Sequence, residues 1–259
     1  MSMRSPARPA WIRASFHVAT TLAVFVPLGL SAWGSEQLSE PLVYTTGIGE
    51  ARRVVLGQHT VANLNTRTSL SVGLTPSACD IELQSGEALF EVRRSDAHEV
   101  HVIAGQVRID ADAAAFSVRL RDQDDGVDVL VRKGDVKLTG TREPVTLTAN
   151  QKAHVSSHGV KLERLDESEV QRRLQWTTGY LSFAGQTLEE VVEEFNRYNM
   201  RKLIIEDRAI RRLQIGGSFQ STDPEGFVAA LLPMGVRRAD AGPVDASTGL
   251  IRLVGMQVR

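Results

Sequence analysis

The chain has 259 residues, of which 42% are hydrophobic and 24% are charged, and its formal net charge is −1. This composition is typical of a globular protein and is too apolar for a disordered one. The near-neutral charge offers no basic platform for nucleic acid, and the single cysteine, Cys79, excludes an internal disulfide. We therefore expect a folded protein that binds neither DNA nor RNA.

The N-terminus carries a basic segment followed by an apolar one. Residues 14–34 contain no Lys, Arg, Asp or Glu, and as a helix they would span about 31 Å, the thickness of a bilayer core. Three basic residues precede this segment and no acidic one does: Arg4, Arg8 and Arg13. We predict a single transmembrane helix that leaves residues 1–13 in the cytoplasm as a short tail.

A cleaved signal peptide is the alternative for the same segment. Its apolar core would run from Val18 to Leu30, with the small residues Ala32 and Gly34 ahead of Ser35. Either arrangement exports the chain from Glu36 onward. Without the three N-terminal arginines the chain has 27 basic and 31 acidic residues, so the exported part has a formal charge of −4.

Short alternations of apolar and polar residues recur between Tyr44 and Val160, with turn residues about every ten positions. Examples are Val100-His101-Val102, Val107-Arg108-Ile109, Val127-Asp128-Val129 and Val136-Lys137-Leu138. We predict an all-β sandwich or roll over residues 43–163 that buries one face of each strand. Residues 164–175 are predicted to be a linker.

The last part, residues 176–259, combines helix and strand patterns. Thr187 and Glu190 form a capping box ahead of a helix whose apolar side chains share one face: Leu188, Val191, Val192, Phe195 and Tyr198. Strands are predicted at Leu203–Ile205, at Leu213–Ile215 and at Leu250–Val254, with a second helix starting at Asp223-Pro224. We predict a small α+β module of the βαβ type, which makes the protein mainly β.

The carboxylates and histidines do not form a recognisable reaction centre. The predicted helix carries Glu189, Glu190, Glu193 and Glu194 on its polar face, where we interpret them as solvated. The pairs His98/His101 and His154/His158 lie in strand patterns, where offsets of three and four keep side chains too far apart to share a metal. Asp122, Asp124 and Asp125 lack the terminal glutamate of a calcium loop. We therefore predict no catalytic residues, no metal and no cofactor, and the protein is expected not to be an enzyme.

Several segments resemble FecR-type periplasmic regulators. In residues 43–163, which we call the β part, they are Tyr44–Glu50 (YTTGIGE), Leu64-Asn65 with Ser69 beyond, Leu83–Val92 (LQSGEALFEV) and Phe116-Ser117-Val118. In the last part they are Trp176–Phe183 (WTTGYLSF), Leu188–Tyr198 and Ile215–Phe219 (IGGSF). The last part is also similar to the short N-terminal domain of secretins and TonB-dependent receptors.

The resemblance implies an envelope signalling protein. Its C-terminal half would sense the signalling domain of a TonB-dependent outer-membrane receptor, in iron or siderophore uptake, and the signal would pass to an extracytoplasmic-function sigma factor. Four residues are candidates for partner binding, with core packing as the alternative role: Trp176, Tyr180, Leu181 and Phe183. The implied location is the inner membrane with the bulk in the periplasm, or the soluble periplasm after cleavage.

The sequence departs from the family pattern in two turns and at the N-terminus. Ala114-Ala115 stand before Phe116 where the family has a Gly-Thr pair, and Gln58-His59-Thr60 replace an Asp-Gly-Ser turn. The fold is expected to tolerate both changes, but a hairpin that needs a positive φ at either place would be strained. Family members that capture a sigma factor carry a cytoplasmic helical domain, whereas residues 1–13 are too short for one. The start could lie upstream, a separate membrane regulator could bind the sigma factor, or the protein could act only from the periplasm. A periplasmic scaffold for transport or secretion, without sigma-factor control, is the alternative function.

Overall fold

The computed structural model describes residues 41–75, 77–94, 99–121, 126–239 and 249–256. The chain from Leu38 to Arg259 forms one compact unit. The predicted tail, residues 1–13, and the predicted membrane helix or signal peptide, residues 14–34, lie outside the described residues. Among those that are described, no helix has the length and apolar character needed to cross a membrane.

The first part of the chain is built from strands, as the alternating pattern predicted. The strands are β1 (Leu42–Thr45), β2 (Arg52–Leu56), β3 (Thr60–Leu64), β4 (Ser69–Leu74), β5 (Ala78–Ser85), β6 (Glu87–Val92), β7 (Glu99–Ala104), β8 (Val107–Leu120), β9 (Val127–Thr139), β10 (Val145–Leu147), β11 (Gln151–Ser156) and β12 (Gly159–Arg164). They pair in the order β1-β4-β5-β7-β8-β6-β3-β2, and β9 joins β8 to β10, β11 and β12. All pairs are antiparallel except β5 with β7.

The long hairpin of β8 and β9 carries the sheet from one layer to the other. Strand β8 pairs with β7 through residues 107–111 and with β6 through residues 115–119, while β9 follows it along the opposite edge. The register shifts between Asp112 and Ala115, where a bulge bends the hairpin. Because the two halves of β8 have different neighbours on one edge, the sheet folds over as a roll around one core.

Neither Ala114-Ala115 nor Gln58-His59-Thr60 has a positive φ, so the strain considered at these two places does not occur there. The bulge is strained at the residue before the two alanines. Ala113 has φ +54°, in the left-handed region that disfavours L side chains. Opposite it on β9, Gly134 has φ +75°, and a Cβ there would lie 2.5 Å from the carbonyl oxygen of Ala113. Glycine is therefore required at residue 134, whereas at residue 113 the chain accepts strain.

The second part begins in the segment predicted as a linker. Residues 164–175 hold helix α1 (Glu167–Arg173), capped by the Asp166 side chain, and lead into a 3-10 helix at Gln175–Thr178. The remaining elements are β13 (Tyr180–Thr187), α2 (Leu188–Tyr198), β14 (Lys202–Ile205), β15 (Gln214–Gln220), α3 (Pro224–Leu231), β16 (Val236–Arg238) and β17 (Leu250–Gly255), with short 3-10 turns at Arg208–Ile210 and Leu232–Met234. We call Tyr180–Gly255 the C-terminal module; its strands form one two-stranded sheet and one three-stranded sheet.

Helix α2 has the predicted start and the predicted buried face. Thr187 and Glu190 form both hydrogen bonds of the capping box, and the five apolar side chains of its period are buried. Helix α3 begins as expected, with Asp223 as the N-cap and Pro224 in the first turn. Local sequence thus determined both helices, because capping and period depend on neighbouring residues.

Two clusters of buried side chains hold the compact unit together. The first lies inside the β part, and the second is formed by α1, α2, α3 and the strands of the C-terminal module. Two residues of the β part, Leu89 on β6 and Leu130 on β9, belong to the second cluster. The expectation of one buried face per strand is therefore wrong for β6 and for the first half of β9, because Leu89 and Leu130 on their outer faces are covered by the C-terminal part of the chain, from residue 164 onward.

Candidate functional site

The four predicted partner-binding residues differ in their exposure. Trp176, in the 3-10 turn, and Leu181, on β13, are both 5% exposed and belong to the second cluster. Phe183 is partly buried against that cluster, while Tyr180 is 47% exposed. The structure therefore places Trp176 and Leu181 in the packing of the C-terminal part and leaves Tyr180 accessible.

All four residues line one cleft between the β part and the C-terminal part. Its other wall includes Leu130 and Asp128 of β9 and Lys152 of β11. The indole Nε1 of Trp176 is buried and has no hydrogen-bond acceptor among the described residues. Cationic and acidic side chains both line the cleft, so it lacks the single sign of charge that would select a phosphate or a metal ion.

Beside this cleft, the β part and α2 meet through a set of polar side chains that we call the polar junction. The β part contributes Asn65, Glu87 and Arg119, and α2 contributes Glu194, Arg197 and Tyr198. Asn65 is fully buried, and Glu87 and Tyr198 are less than a tenth exposed. Buried polar groups of this kind are stable only when they are hydrogen-bonded.

The charged groups of the polar junction pair reciprocally across the contact. Arg197 Nη2 lies 3.1 Å from Glu87 Oε2, and Arg119 Nη1 lies 3.1 Å from Glu194 Oε2. Arg197 also pairs with Glu194, three residues before it on α2. Two carboxylates and two guanidinium groups therefore alternate, and the set has no net charge.

Neutral hydrogen bonds complete the junction around Asn65. Its Nδ2 donates to Glu87 Oε2 at 3.0 Å and to Tyr198 Oη at 2.7 Å, while its Oδ1 accepts from the Thr66 backbone N–H at 2.8 Å. Ser117 Oγ donates to the second Glu87 oxygen at 3.3 Å. The Asn65 side chain thus links the carboxylate of the β part to the last residue of α2.

The backbone at the end of α2 also fits closely against the β part. Thr66 Oγ1 donates to the carbonyl oxygen of Arg197 at 3.2 Å and accepts from the Gly49 N–H at 2.9 Å. Gly49 has φ +74°, and a Cβ at this position would lie 2.8 Å from the carbonyl oxygen of Tyr198. Gly49, Asn65 and Glu87 all come from the segments that carry the FecR resemblance.

Burial and pairing shift the pKa values within the polar junction. Burial opposes ionisation of Glu194, but Arg197 and Arg119 outweigh it and hold the pKa of this carboxyl below its ordinary value. Burial also disfavours the charged form of Arg197, but Glu194 and Glu87 raise its pKa and keep it charged. For the Tyr198 hydroxyl, burial and the two carboxylates raise the pKa, so it stays protonated.

Asp128, which also lines the cleft, is the centre of a second polar cluster. Its carboxylate receives Arg121 at 2.8 Å, His154 Nδ1 at 2.8 Å and Lys152 Nζ at 3.4 Å. Burial raises the pKa of Asp128, but these partners outweigh it and lower the pKa overall. Lys152 has a lowered pKa because of burial and the nearby Arg173 and Arg121, despite the attraction of Asp128.

His101, His154 and Cys79 occupy structural positions. His154 bonds to Asp128, and His101 Nδ1 lies 2.7 Å from Asp110. His98 and the three aspartates at residues 122, 124 and 125 lie outside the described residues, and within the described part of the chain no group of three metal-binding side chains comes together. Cys79 is buried, and desolvation raises the pKa of its thiol to about 11, which keeps it an unreactive thiol.

The interpretation of all four α2 carboxylates as solvated is wrong for Glu194. Glu193 is exposed, but Glu194 pairs with arginines from both parts of the chain. The only sequence signal was its position, since Glu194 immediately precedes buried Phe195 and lies three residues before Arg197. That spacing could not identify Arg119 as the partner, because the two residues are 75 positions apart.

Comparisons with known proteins agree with the resemblance in the β part. The family model described as FecR protein matches residues 43–137. A solved structure of a candidate anti-sigma factor from Parabacteroides distasonis ATCC 8503 is similar at 22% identity with a TM-score of 0.67, covering 83% of this chain and all of that one. A second structure under the same description gives 21% identity and the same TM-score, covering 84% of this chain.

Curated proteins give no significant match. The two solved structures show a shared fold that extends well beyond the family match, into the C-terminal part. The similarity of that part to secretin and TonB short domains stays a prediction, because the family match ends at residue 137. Residues 43–137 of this chain are a FecR domain, as the sequence motifs predicted.

Proposed function

We propose that this chain is a non-enzymatic regulator of a sigma factor that acts in the bacterial envelope. The FecR domain at residues 43–137 is the observation that carries this proposal. The description of the similar solved structures as a candidate anti-sigma factor supports it, because the shared fold includes the C-terminal part as well. We assign the function to binding, as the FecR resemblance implies.

The proposed mechanism is differential binding by a partner to two arrangements of the protein. A ligand shifts a conformational equilibrium only by its difference in affinity for the two states. The C-terminal module is the proposed receiver, and the polar junction connects it to the FecR domain through paired side chains. A change at the module can therefore alter contacts in the FecR domain without covalent chemistry.

The proposed signal is contact with the periplasmic signalling domain of a TonB-dependent outer-membrane receptor, in iron or siderophore uptake. The proposed location is the inner membrane in a single pass, with the N-terminus in the cytoplasm and the bulk in the periplasm. Cleavage of the N-terminal segment would instead leave a soluble periplasmic protein. The proposed output is a sigma factor, contacted directly or through a separate membrane regulator.

Tyr180 is the predicted partner-binding residue best placed to act by direct contact. Its side chain lines the cleft and is about half exposed, and amphipathic aromatic residues are favoured as interface anchors. Trp176 and Leu181 would act by supporting the surface around it, because both are packed in the second cluster. Phe183 is partly buried against the same cluster, so it is less accessible than Tyr180 and less enclosed than Trp176 and Leu181.

In-cell crosslinking followed by recovery through a C-terminal tag on the full chain tests the proposal. We expect an outer-membrane receptor together with a sigma factor or a membrane regulator. The Tyr180→Ala variant should reduce recovery of the receptor, whereas Leu162→Ala, an exposed residue on β12, should not. Recovery of secretion or transport components alone would overturn the proposal in favour of the scaffold function.

A fusion of alkaline phosphatase after residue 40 tests the proposed location. We expect enzymatic activity in the periplasm, because the basic residues precede the apolar segment. Activity confined to the cytoplasmic fraction would contradict the topology. Release of the fusion into the soluble periplasmic fraction would identify the segment as a cleaved signal peptide.

A further inference from the structure

We propose that the polar junction is a latch: the resting protein holds the end of α2 against the FecR domain, and signalling requires this contact to open. The inference rests on the proposed function and deepens it by assigning the step between reception and output. It concerns the six side chains of the polar junction, Asn65, Glu87, Arg119, Glu194, Arg197 and Tyr198, together with the backbone of Gly49 and the Thr66 hydroxyl.

Each side of the junction remains neutral when the two sides separate. On the FecR domain, Glu87 and Arg119 are register partners on neighbouring strands β6 and β8. On α2, Glu194 and Arg197 form an ion pair three residues apart. Opening therefore exchanges cross-contact pairs for pairs within each side, and no carboxylate is left without a nearby guanidinium group.

The polar junction and the apolar contact next to it differ in how well their side chains tolerate exposure to water. Leu89 and Leu130 of the β part pack into the second cluster, and exposing them to water would be unfavourable. The charged side chains of the junction are instead compatible with water once separated. Arg119, Glu194 and Arg197 already have side chains 20–27% exposed, so water can reach the contact at its edge.

In the closed form, the end of α2 fits closely against the loop at Gly49 and the hydroxyl of Thr66. Without a Cβ at Gly49, the loop approaches the Tyr198 carbonyl oxygen, and Thr66 completes the contact by donating to the Arg197 carbonyl oxygen. The C-terminal carbonyls of a helix carry partial negative charge and need such donors. The closed position of α2 is thus defined by both shape and hydrogen bonding, which a latch requires.

Hydrogen–deuterium exchange of the full chain, compared among three variants, tests whether the contact opens as a unit. Arg197→Met removes the cation that joins Glu87 to Glu194, and Gly49→Ala blocks the close approach while it keeps every charge. Arg201→Met is the matched control, since it breaks the exposed pair of Arg201 with Glu225 on the surface of the module.

We expect peptides covering residues 46–50, 64–68 and 195–199 to exchange about tenfold faster in both latch variants than in the wild type or the control. Peptides of β7 should exchange at the wild-type rate, which shows that the FecR domain stays folded. If Arg197→Met unfolds the domain, Gly49→Ala decides the question. Wild-type exchange at the junction in Gly49→Ala would overturn the latch.

A transcriptional reporter of the regulated sigma factor supplies the second measurement. The latch variants should give the output of the stimulated wild type without the stimulus, whereas Arg201→Met should behave like the unstimulated wild type. Faster exchange with a control-like output would overturn the signalling role of the latch. A wild-type protein that neither binds a receptor nor alters any reporter would overturn the proposed function itself, while the exchange measurement would still show whether the contact opens.

Discussion

The two buried clusters of this protein differ in how they are completed. The first lies within the β part and is mainly aliphatic, with Phe90 and Phe116 as an aromatic pair at its centre. The second is built on ring contacts, with Phe195 stacked on Phe227 at 4.4 Å between centroids, and it takes Leu89 and Leu130 from the β part. The β part therefore has a core of its own, whereas the core of the C-terminal part is completed by side chains on the outer face of the β part.

The largest expected effect comes from placing a charge inside the second cluster. Leu188 is fully buried at the first turn of α2, so Leu188→Asp would bury an unpaired carboxylate and cost about 4 kcal/mol or more of unfolding free energy. Glu193→Lys, on the exposed face of the same helix, should leave the protein folded. Urea denaturation of both variants measures the difference, and equal midpoints would show that the buried face of α2 is assigned wrongly.

The shared boundary of the two clusters can be tested from the side of the β part. Leu130→Ala should lower the unfolding free energy by about 2–4 kcal/mol, because it leaves a cavity against the C-terminal part. Leu162→Ala, with a half-exposed side chain on β12, should change it by no more than about 0.5 kcal/mol. Equal unfolding free energies of the two variants would contradict the packing of Leu130 into the second cluster.

The bend that closes the first cluster depends on Gly134. Gly134→Ala combines a positive φ with a clash against the Ala113 carbonyl oxygen, so we expect a loss of about 2 kcal/mol. The reciprocal change, Ala113→Gly, should relieve strain and stabilise the protein by up to about 1 kcal/mol. Thermal unfolding of both variants measures the effects, and a stabilising Gly134→Ala would contradict the described bulge.

The smallest expected effect is a pH dependence at the Asp128 cluster. Its partners Lys152, Arg121 and His154 lower the pKa of Asp128 in the folded protein despite burial, so the folded state binds fewer protons there than the unfolded one. The resulting stability is present at neutral pH and is lost as the pH falls through about 4 towards the lower folded pKa. Asp128→Asn should flatten this acid limb in denaturation measured from about pH 3 to 6. If the Asp128→Asn variant lost stability at acid pH as the wild type does, other carboxyl groups would account for that loss.

The local elements were predictable from the sequence. Thr187 and Glu190 predicted the start of α2, and the alternation of apolar and polar residues predicted the strands of residues 43–163. Both predictions were possible because capping and periodicity involve residues close along the chain. The helix inside residues 164–175 was missed, although Asp166 is a good N-cap, because the helix is short and has few apolar residues. The FecR resemblance was predictable from its segments, and the family match confirms it for residues 43–137.

The sequence by itself determined the strands of the β part, helices α2 and α3, the buried face of α2 and the FecR resemblance of the β part. Only the tertiary structure decided what those segments contact: Arg197 meets Glu87 across 110 positions, and Asn65 meets Tyr198 across 133. It also decided that Leu89 and Leu130, on the outer faces of β6 and β9, are covered and that Glu194 is paired instead of solvated. The physical reason is that periodicity reports which side of a segment is apolar, while a polar contact between distant segments leaves no pattern in either one.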